Sequence, residues 1–157
     1  SRYHEAATAF KAEHIVRITS DCPLIEPSVV DEVIEFYTTN VSKYDYVSNV
    51  MERTYPKGLD VEIFSYKALD QAHRLGKKPE EREHVTPYIH QNPKIFKLGS
   101  FTHTPDISKH RWTLDTAEDY DLIRRIYEYC LPKNPEFGTA EILEGFERHP
   151  DWFKINQ

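Results

Sequence analysis

Apolar and polar positions along the chain switch between a period near 3.6 and a period of two, and each switch marks a predicted element. The opening "SRYHEAATAFKA" is in helical register, with Tyr3, Ala6, Ala7 and Phe10 on one face. A strand is predicted at residues 14–19. "EPSVVDEVIEFY" reads as a helix with Pro27 at its first position, where a missing N–H breaks no helical bond. Its apolar side carries Val29, Val30, Val33, Ile34 and Tyr37, and Asp31, Glu32 and Glu35 take the other side.

Strands are also predicted at residues 44–50 and 61–64, joined by the loop "MERTYPKGLD" with its Pro56–Gly58 punctuation. "SYKALDQAHRL" predicts a helix capped by Ser65 and closed by Gly76. "PEEREHVTPYIHQ" predicts a helix after Pro79 that Pro87 kinks or divides. "IFKLGSFTH" and "HRWTL" read as strands, the second feeding the helix "AEDYDLIRRIYEYC". Thr116 and Asp119 give that helix a capping-box start, with Asp in place of the longer Glu. A last helix follows Gly138. Strands alternating with helices predict an α/β fold with a largely parallel sheet, the "LDVEIF" strand being antiparallel or at an edge.

Composition narrows the function. A chain of 157 residues with 39% hydrophobic content suits one globular domain or a large part of one. The net charge of −6 and scattered basic residues argue against a nucleic-acid partner. No apolar stretch reaches the length of a membrane span and no signal-peptide pattern is present, so a cytoplasmic protein is expected. Cys22 and Cys130 stand far apart without metal-site or redox spacing, the usual pattern of reduced cysteines. The five glycines are dispersed, so a glycine-rich phosphate cradle is missing. The chain also starts without methionine and already in a helix. Either the fold needs no such loop or the chain is a piece of something longer.

Candidate chemistry centres on two aspartates. "HIVRITSD" and "HRWTLD" each end an apolar run on a carboxylate, at Asp21 and Asp115, just before a turn into a helix. Open α/β sheets bind ligands beyond such strand ends. Two carboxylates there suit Mg²⁺, which takes its other ligands from water and substrate phosphate. Both aspartates are equally readable as turn residues. Strand alternation places Arg111 with Asp115, and Arg17 and Thr19 with Asp21. The loop "RTYPKGLD" offers Arg53, Lys57 and Asp60 around a turn, suited to an acidic sugar or a phosphate or else simply solvated. Glu83 and His84 could orient a hydroxyl or sit on the surface. The histidines lack zinc spacing, and Cys22 has no base to make it a nucleophile. Asp119 and Asp121 of "DYD" point apart on a helix and cannot share a metal.

The blocks "VRITSDCPLIEPSVVDEVI", "ERTYPKGLDVEIFSYKALDQA", "EREHVTPYIHQNP", "RWTLDTAEDYDLIRRIYE" and "HPDWFKIN" together resemble the cytidylyltransferases of the spore coat polysaccharide biosynthesis F type. That group is similar to the acylneuraminate and 3-deoxy-manno-octulosonate cytidylyltransferases. The resemblance implies a three-layer, mostly parallel sheet of the nucleotide-diphospho-sugar transferase type. It implies CTP and an acidic sugar as substrates, Mg²⁺ as cofactor held by Asp21 and Asp115, and a homodimer as the common assembly of the fold. Ser20 and Ala117 replace the family's usual Gly and Pro beside those aspartates. The family's N-terminal triphosphate-binding loop has no counterpart here, which makes residues 1–157 resemble the C-terminal part of one nucleotidyltransferase domain, inactive by itself. A glycosyltransferase of related fold, using a sugar nucleotide, and an assembly-only fragment are the alternatives.

Overall fold

The computed structural model describes residues 2–157, which divide into two compact units. The first takes residues 2–17, 31–52 and 61–101; the second takes residues 18–30, 53–60 and 102–157. The elements run α1 (Arg2–Ala9), β1 (His14–Arg17), α2 (Pro27–Thr39), β2 (Tyr46–Ser48), β3 (Glu62–Ser65), α3 (Tyr66–Leu75), α4 (Pro79–Glu83), α5 (Thr86–His90), β4 (Leu98–Ser100), α6 (Ala117–Cys130) and α7 (Thr139–Arg148), then a 3₁₀ turn, Pro150–Lys154.

All four strands lie in the first unit, in one mixed sheet ordered β1-β3-β2-β4. β3 runs antiparallel to both neighbours, and β2 pairs with β4 in parallel. The α/β class stands. Three strands point one way, and the "LDVEIF" strand is the reversed one, though it is central rather than at an edge. β3 is buried on both faces, and its Phe64 joins Tyr46, Leu69, Ile89 and Phe96 in the unit's core. Such a strand needs cover on both sides, and its one charged residue, Glu62, is buried only with Arg17 and the Tyr46 hydroxyl as partners.

The helices form largely where periodicity places them. Ser65 caps α3 by accepting the Ala68 N–H at 3.1 Å. The "PEEREHVTPYIHQ" helix divides at Val85, two residues before Pro87, and Val85 takes φ 69° there. The predicted face of α1 is only partly correct: Ala7 is buried, but Ala6 and Phe10 are exposed. The "HRWTL" strand is absent. Arg111 makes a single bridge to Lys57, and the His110 and Leu114 N–H groups donate to the Ile107 and Asp21 carbonyls instead of to a ladder. Its neighbour, the 53–60 loop, turns away at Pro56–Gly58 after one pairing.

That turn depends on Gly58, which sits at φ +112°. A Cβ there would lie 2.6 Å from the Trp112 carbonyl carbon, so the loop backbone rests directly on the 112–113 backbone. In the same unit the His110 ring packs 4.5 Å from Phe146 and 4.8 Å from Phe153. Burial, helped by the Lys109 charge, pushes its pKa down to about 4. The unfolded chain therefore binds a proton near pH 6.5 that the folded chain refuses, and stability falls as pH drops through that window.

Two outcomes follow for stability. Gly58→Ala should lose at least about 2 kcal/mol in denaturant unfolding, from strain at positive φ plus the backbone clash; unchanged stability would mean the loop is free to shift. His110→Phe keeps the aromatic packing and removes the proton site. Relative to the unsubstituted protein it should gain up to about 3 kcal/mol on going from pH 7 to pH 4. A pH-independent difference between the two would show that His110 is not held neutral.

Candidate active site

The two aspartates singled out from sequence both belong to the second unit, and the backbone brings their segments together. The Leu114 N–H donates to the Asp21 carbonyl at 2.9 Å, so the residue before Asp115 is bonded to Asp21 itself. Three further ties hold the Asp21 segment. Tyr127 Oη donates to the Pro23 carbonyl at 2.9 Å, and Leu24 is buried. Glu26 accepts the Thr139 N–H at 2.9 Å and the Thr139 hydroxyl, and so caps the start of α7. Burial works against the Glu26 charge, but hydrogen bonds from Thr139 and Ser28 outweigh it and hold the carboxyl below its usual range.

Asp115 is positioned by the start of α6. Thr116 Oγ1 accepts the Asp119 N–H at 3.2 Å, and Asp119 Oδ2 accepts the Thr116 N–H at 3.1 Å and the Asp115 N–H at 3.0 Å. Arg111 completes the group. It donates to Asp119 side-on, from Nε at 3.0 Å and Nη2 at 2.8 Å, and Nη2 also reaches Asp115 Oδ2 at 2.6 Å. Asp119 is 1% exposed, whereas the Asp115 side chain is 46% exposed, so only the second can meet a ligand. Hydrogen bonds from Arg111, opposed by burial and helped by Asn156, hold the Asp119 carboxyl far below the usual carboxylate range. The same contact with Asp119 raises the pKa of Arg111.

The 53–60 loop lies alongside. The Lys57 N–H donates to the His110 carbonyl at 3.0 Å, and the Trp112 N–H donates to the Lys57 carbonyl at 2.6 Å. Lys57 is therefore paired in register with Arg111, its side chain exposed. Arg53 is spoken for: it holds Asp60 through both oxygens, at 2.7 and 3.1 Å. Cys22 lies within electrostatic reach of Asp21 and Asp60; burial pushes its thiol pKa up, and those two charges add to the effect. A thiol kept protonated is a packing group, not a nucleophile.

The remaining predicted residues belong to the first unit. Arg17 forms a part-buried ion pair with Glu62, whose other oxygen accepts the Tyr46 hydroxyl at 2.6 Å. Its guanidinium is thus committed within β1 and β3, in contrast to the expected role beside Asp21. Glu83 and His84 are exposed at the end of α4. Sequence reasoning missed Asn156, which donates to Asp119 Oδ1 at 2.8 Å and to the Arg111 carbonyl at 3.0 Å. It also read Asp119 only as a cap.

Among the described residues no group of three or more His, Cys, Asp or Glu is arranged to hold a metal. Any cation at Asp21 and Asp115 would therefore take most of its ligands from water and substrate. That suits Mg²⁺, which commonly accepts one or two carboxylates and keeps its remaining positions for water and phosphate. The donor set fits.

Comparison with known proteins identifies the family. A cytidylyltransferase family model matches residues 1–146. The chain is 34% identical over 158 residues to uncharacterized protein MJ1063 of Methanocaldococcus jannaschii, covering 99% of this chain and 62% of that protein. It is 28% identical over 154 residues to the spore coat polysaccharide biosynthesis protein SpsF of Bacillus subtilis, covering 96% and 61% respectively. A solved structure of a cytidylyltransferase from Leptospira borgpetersenii serovar Hardjo-bovis superposes with a TM-score of 0.91 at 33% identity, over 99% of this chain and 64% of that one. The chain thus spans just under two thirds of the length of these relatives, and it belongs to the cytidylyltransferase family.

Proposed function

We propose that the protein carrying this chain transfers CMP from CTP to a hydroxyl of an acidic sugar, releasing pyrophosphate. In that reaction the sugar oxygen bonds to the α-phosphorus while the bond to the pyrophosphate oxygen breaks, and the hydroxyl proton passes to solvent. Such transfers rest on positioning and on neutralising phosphate charge rather than on covalent help from the protein. The observation that supports the reading is the direct backbone bond between Leu114 and Asp21, which joins the segment leading into Asp115 to Asp21 itself.

Their carboxylates would hold Mg²⁺, which when bound screens the phosphate charges. Lys57, exposed and without a carboxylate partner among the described residues, would meet an anionic group of CTP or of the sugar. Arg111, with Nη1 unengaged, offers a second donor beside it. Arg53 and Asp60 would shape the loop rather than bind directly, since each satisfies the other. The name borne by the Bacillus relative supports a surface polysaccharide as the destination of the activated sugar. No helix among the described residues is long and apolar enough to cross a membrane, and a cytoplasmic reaction, where CTP is at hand, is part of the proposal.

Asp21→Asn and Asp115→Asn test it in the longest natural form of the protein. Each should lower pyrophosphate release from CTP, Mg²⁺ and a panel of acidic sugars at least about 100-fold. Unfolding free energy should stay within about 0.5 kcal/mol for such exposed or half-buried polar positions. Asp121→Asn is the control. Its carboxylate pairs with Arg124 and Arg125 on the outer face of α6, and activity should be unchanged. Full turnover in Asp21→Asn would make Asp21 a turn residue.

A further inference from the structure

We infer that Arg111 is a positioning residue that sets the cation preference of the site: it holds Oδ2 of Asp115 and leaves Oδ1 to coordinate, so that Asp115 serves a divalent cation through one oxygen. The inference rests on the reading of Asp21 and Asp115 as the cation-facing pair.

The arginine itself has little freedom. Its side-on edge, Nε and Nη2, is engaged by Asp119, which is 1% exposed. Asp119 is held in turn by the Asn156 amide and by the Asp115 and Thr116 N–H groups. The Arg111 carbonyl accepts Asn156 Nδ2 at 3.0 Å, and its backbone bridges to Lys57. Nη2 carries a second hydrogen, directed away from Asp119, and Asp115 Oδ2 takes it at 2.6 Å, the shortest of the arginine's three carboxylate contacts. An ion pair this exposed ordinarily contributes little, because both side chains must be ordered to form it. Here a buried anion has already ordered the arginine, so Asp115 meets a fixed donor.

The remaining oxygen decides the chemistry. Among the described residues Asp115 Oδ1 has no hydrogen-bond partner, and the side chain is 46% exposed. Charge stays favourable to a cation, since one arginine between two aspartates leaves the group negative. A carboxylate with one oxygen bonded to a guanidinium cannot grip a metal through both. Mg²⁺ accepts that restriction: its near-ideal octahedral shell, at about 2.1 Å, has no place for the narrow bite of a two-oxygen carboxylate. Ca²⁺, at about 2.4 Å with roughly six to eight oxygens, uses the two-oxygen mode that Arg111 blocks. Arg111 therefore favours the smaller ion without touching it.

The test reads metal affinity rather than turnover. Mg²⁺ and Ca²⁺ displace Mn²⁺ from the longest natural form of the protein in the presence of CTP without sugar. The released ion is followed by its electron paramagnetic resonance signal, with CTP alone as the reference. Arg111→Met combined with Asp119→Asn removes the buried pair together, which strands neither charge and leaves the net charge of the group unchanged. It frees Asp115 Oδ2 and should shift the ratio of Ca²⁺ to Mg²⁺ affinity about tenfold toward Ca²⁺, the low end of what outer partners of metal ligands contribute. Arg111→Lys keeps the charge as a movable point without the fork, and should shift the ratio the same way by about threefold. A merely structural role lowers both affinities together and leaves the ratio in place.

An unchanged ratio, or a shift toward Mg²⁺, in either folded variant would overturn the inference. The underlying reading fails separately. If Asp115→Asn binds Mn²⁺ as well as the unsubstituted protein, the cation does not use Asp115 at all, whatever the ratio does in the Arg111 variants.

Discussion

The buried carboxylate of Asp119 is the point through which the second unit is organised. A charge this far from water is tolerated only when its oxygens are fully hydrogen-bonded and a counter-charge is adjacent. Both conditions are met by Arg111, by the amide of Asn156 and by two N–H groups at the start of α6. Satisfying that one group draws together the 111–115 segment, the helix it leads into and the chain beyond the 3₁₀ turn. Asp115 inherits its position from this arrangement, and Asp21 inherits its own from Leu114, one residue earlier.

The 53–60 loop is a second consequence of the same segment. It can lie against Trp112 and Thr113 only because Gly58 has no side chain and accepts a positive φ. Backbone contact at that distance brings Lys57 beside Arg111. The cationic and anionic groups of the candidate site thus come from three separate stretches of sequence, joined by backbone hydrogen bonds rather than by side-chain packing. Such bonds place side chains with little freedom, which is what positioning chemistry requires.

Local signals were readable in advance. The Thr116–Asp119 cap, the Ser65 cap and the Pro27 start of α2 involve residues no more than a few positions apart, and each formed as its residue types dictate. The two aspartates and the charges of "RTYPKGLD" were visible as residues of the right chemistry beside turns. Partner choice was not visible. Alternation along an apparent strand correctly put Arg111 with Asp115, yet the segment is a loop with one bridge, because its neighbour turns away. The same alternation put Arg17 with Asp21, whereas Glu62, on the paired strand, takes that guanidinium. Asn156 lies 37 positions from Asp119 and carries no periodic or capping signal. Asp119 looked complete as a helix cap, and nothing local revealed that it also buries the charge of Arg111.

The central claim is that the Asp21 and Asp115 carboxylates meet one divalent cation on the phosphates of CTP. Diffraction from crystals of the longest natural form grown with CTP and Mn²⁺, recorded at the manganese edge, tests it most directly. The account predicts an anomalous peak with oxygens of both aspartates and of CTP phosphate within about 2.2 Å, and Asp119 still turned inward on Arg111. A manganese ion held by the triphosphate alone, or by Asp119, with Asp21 and Asp115 engaged elsewhere, would contradict it.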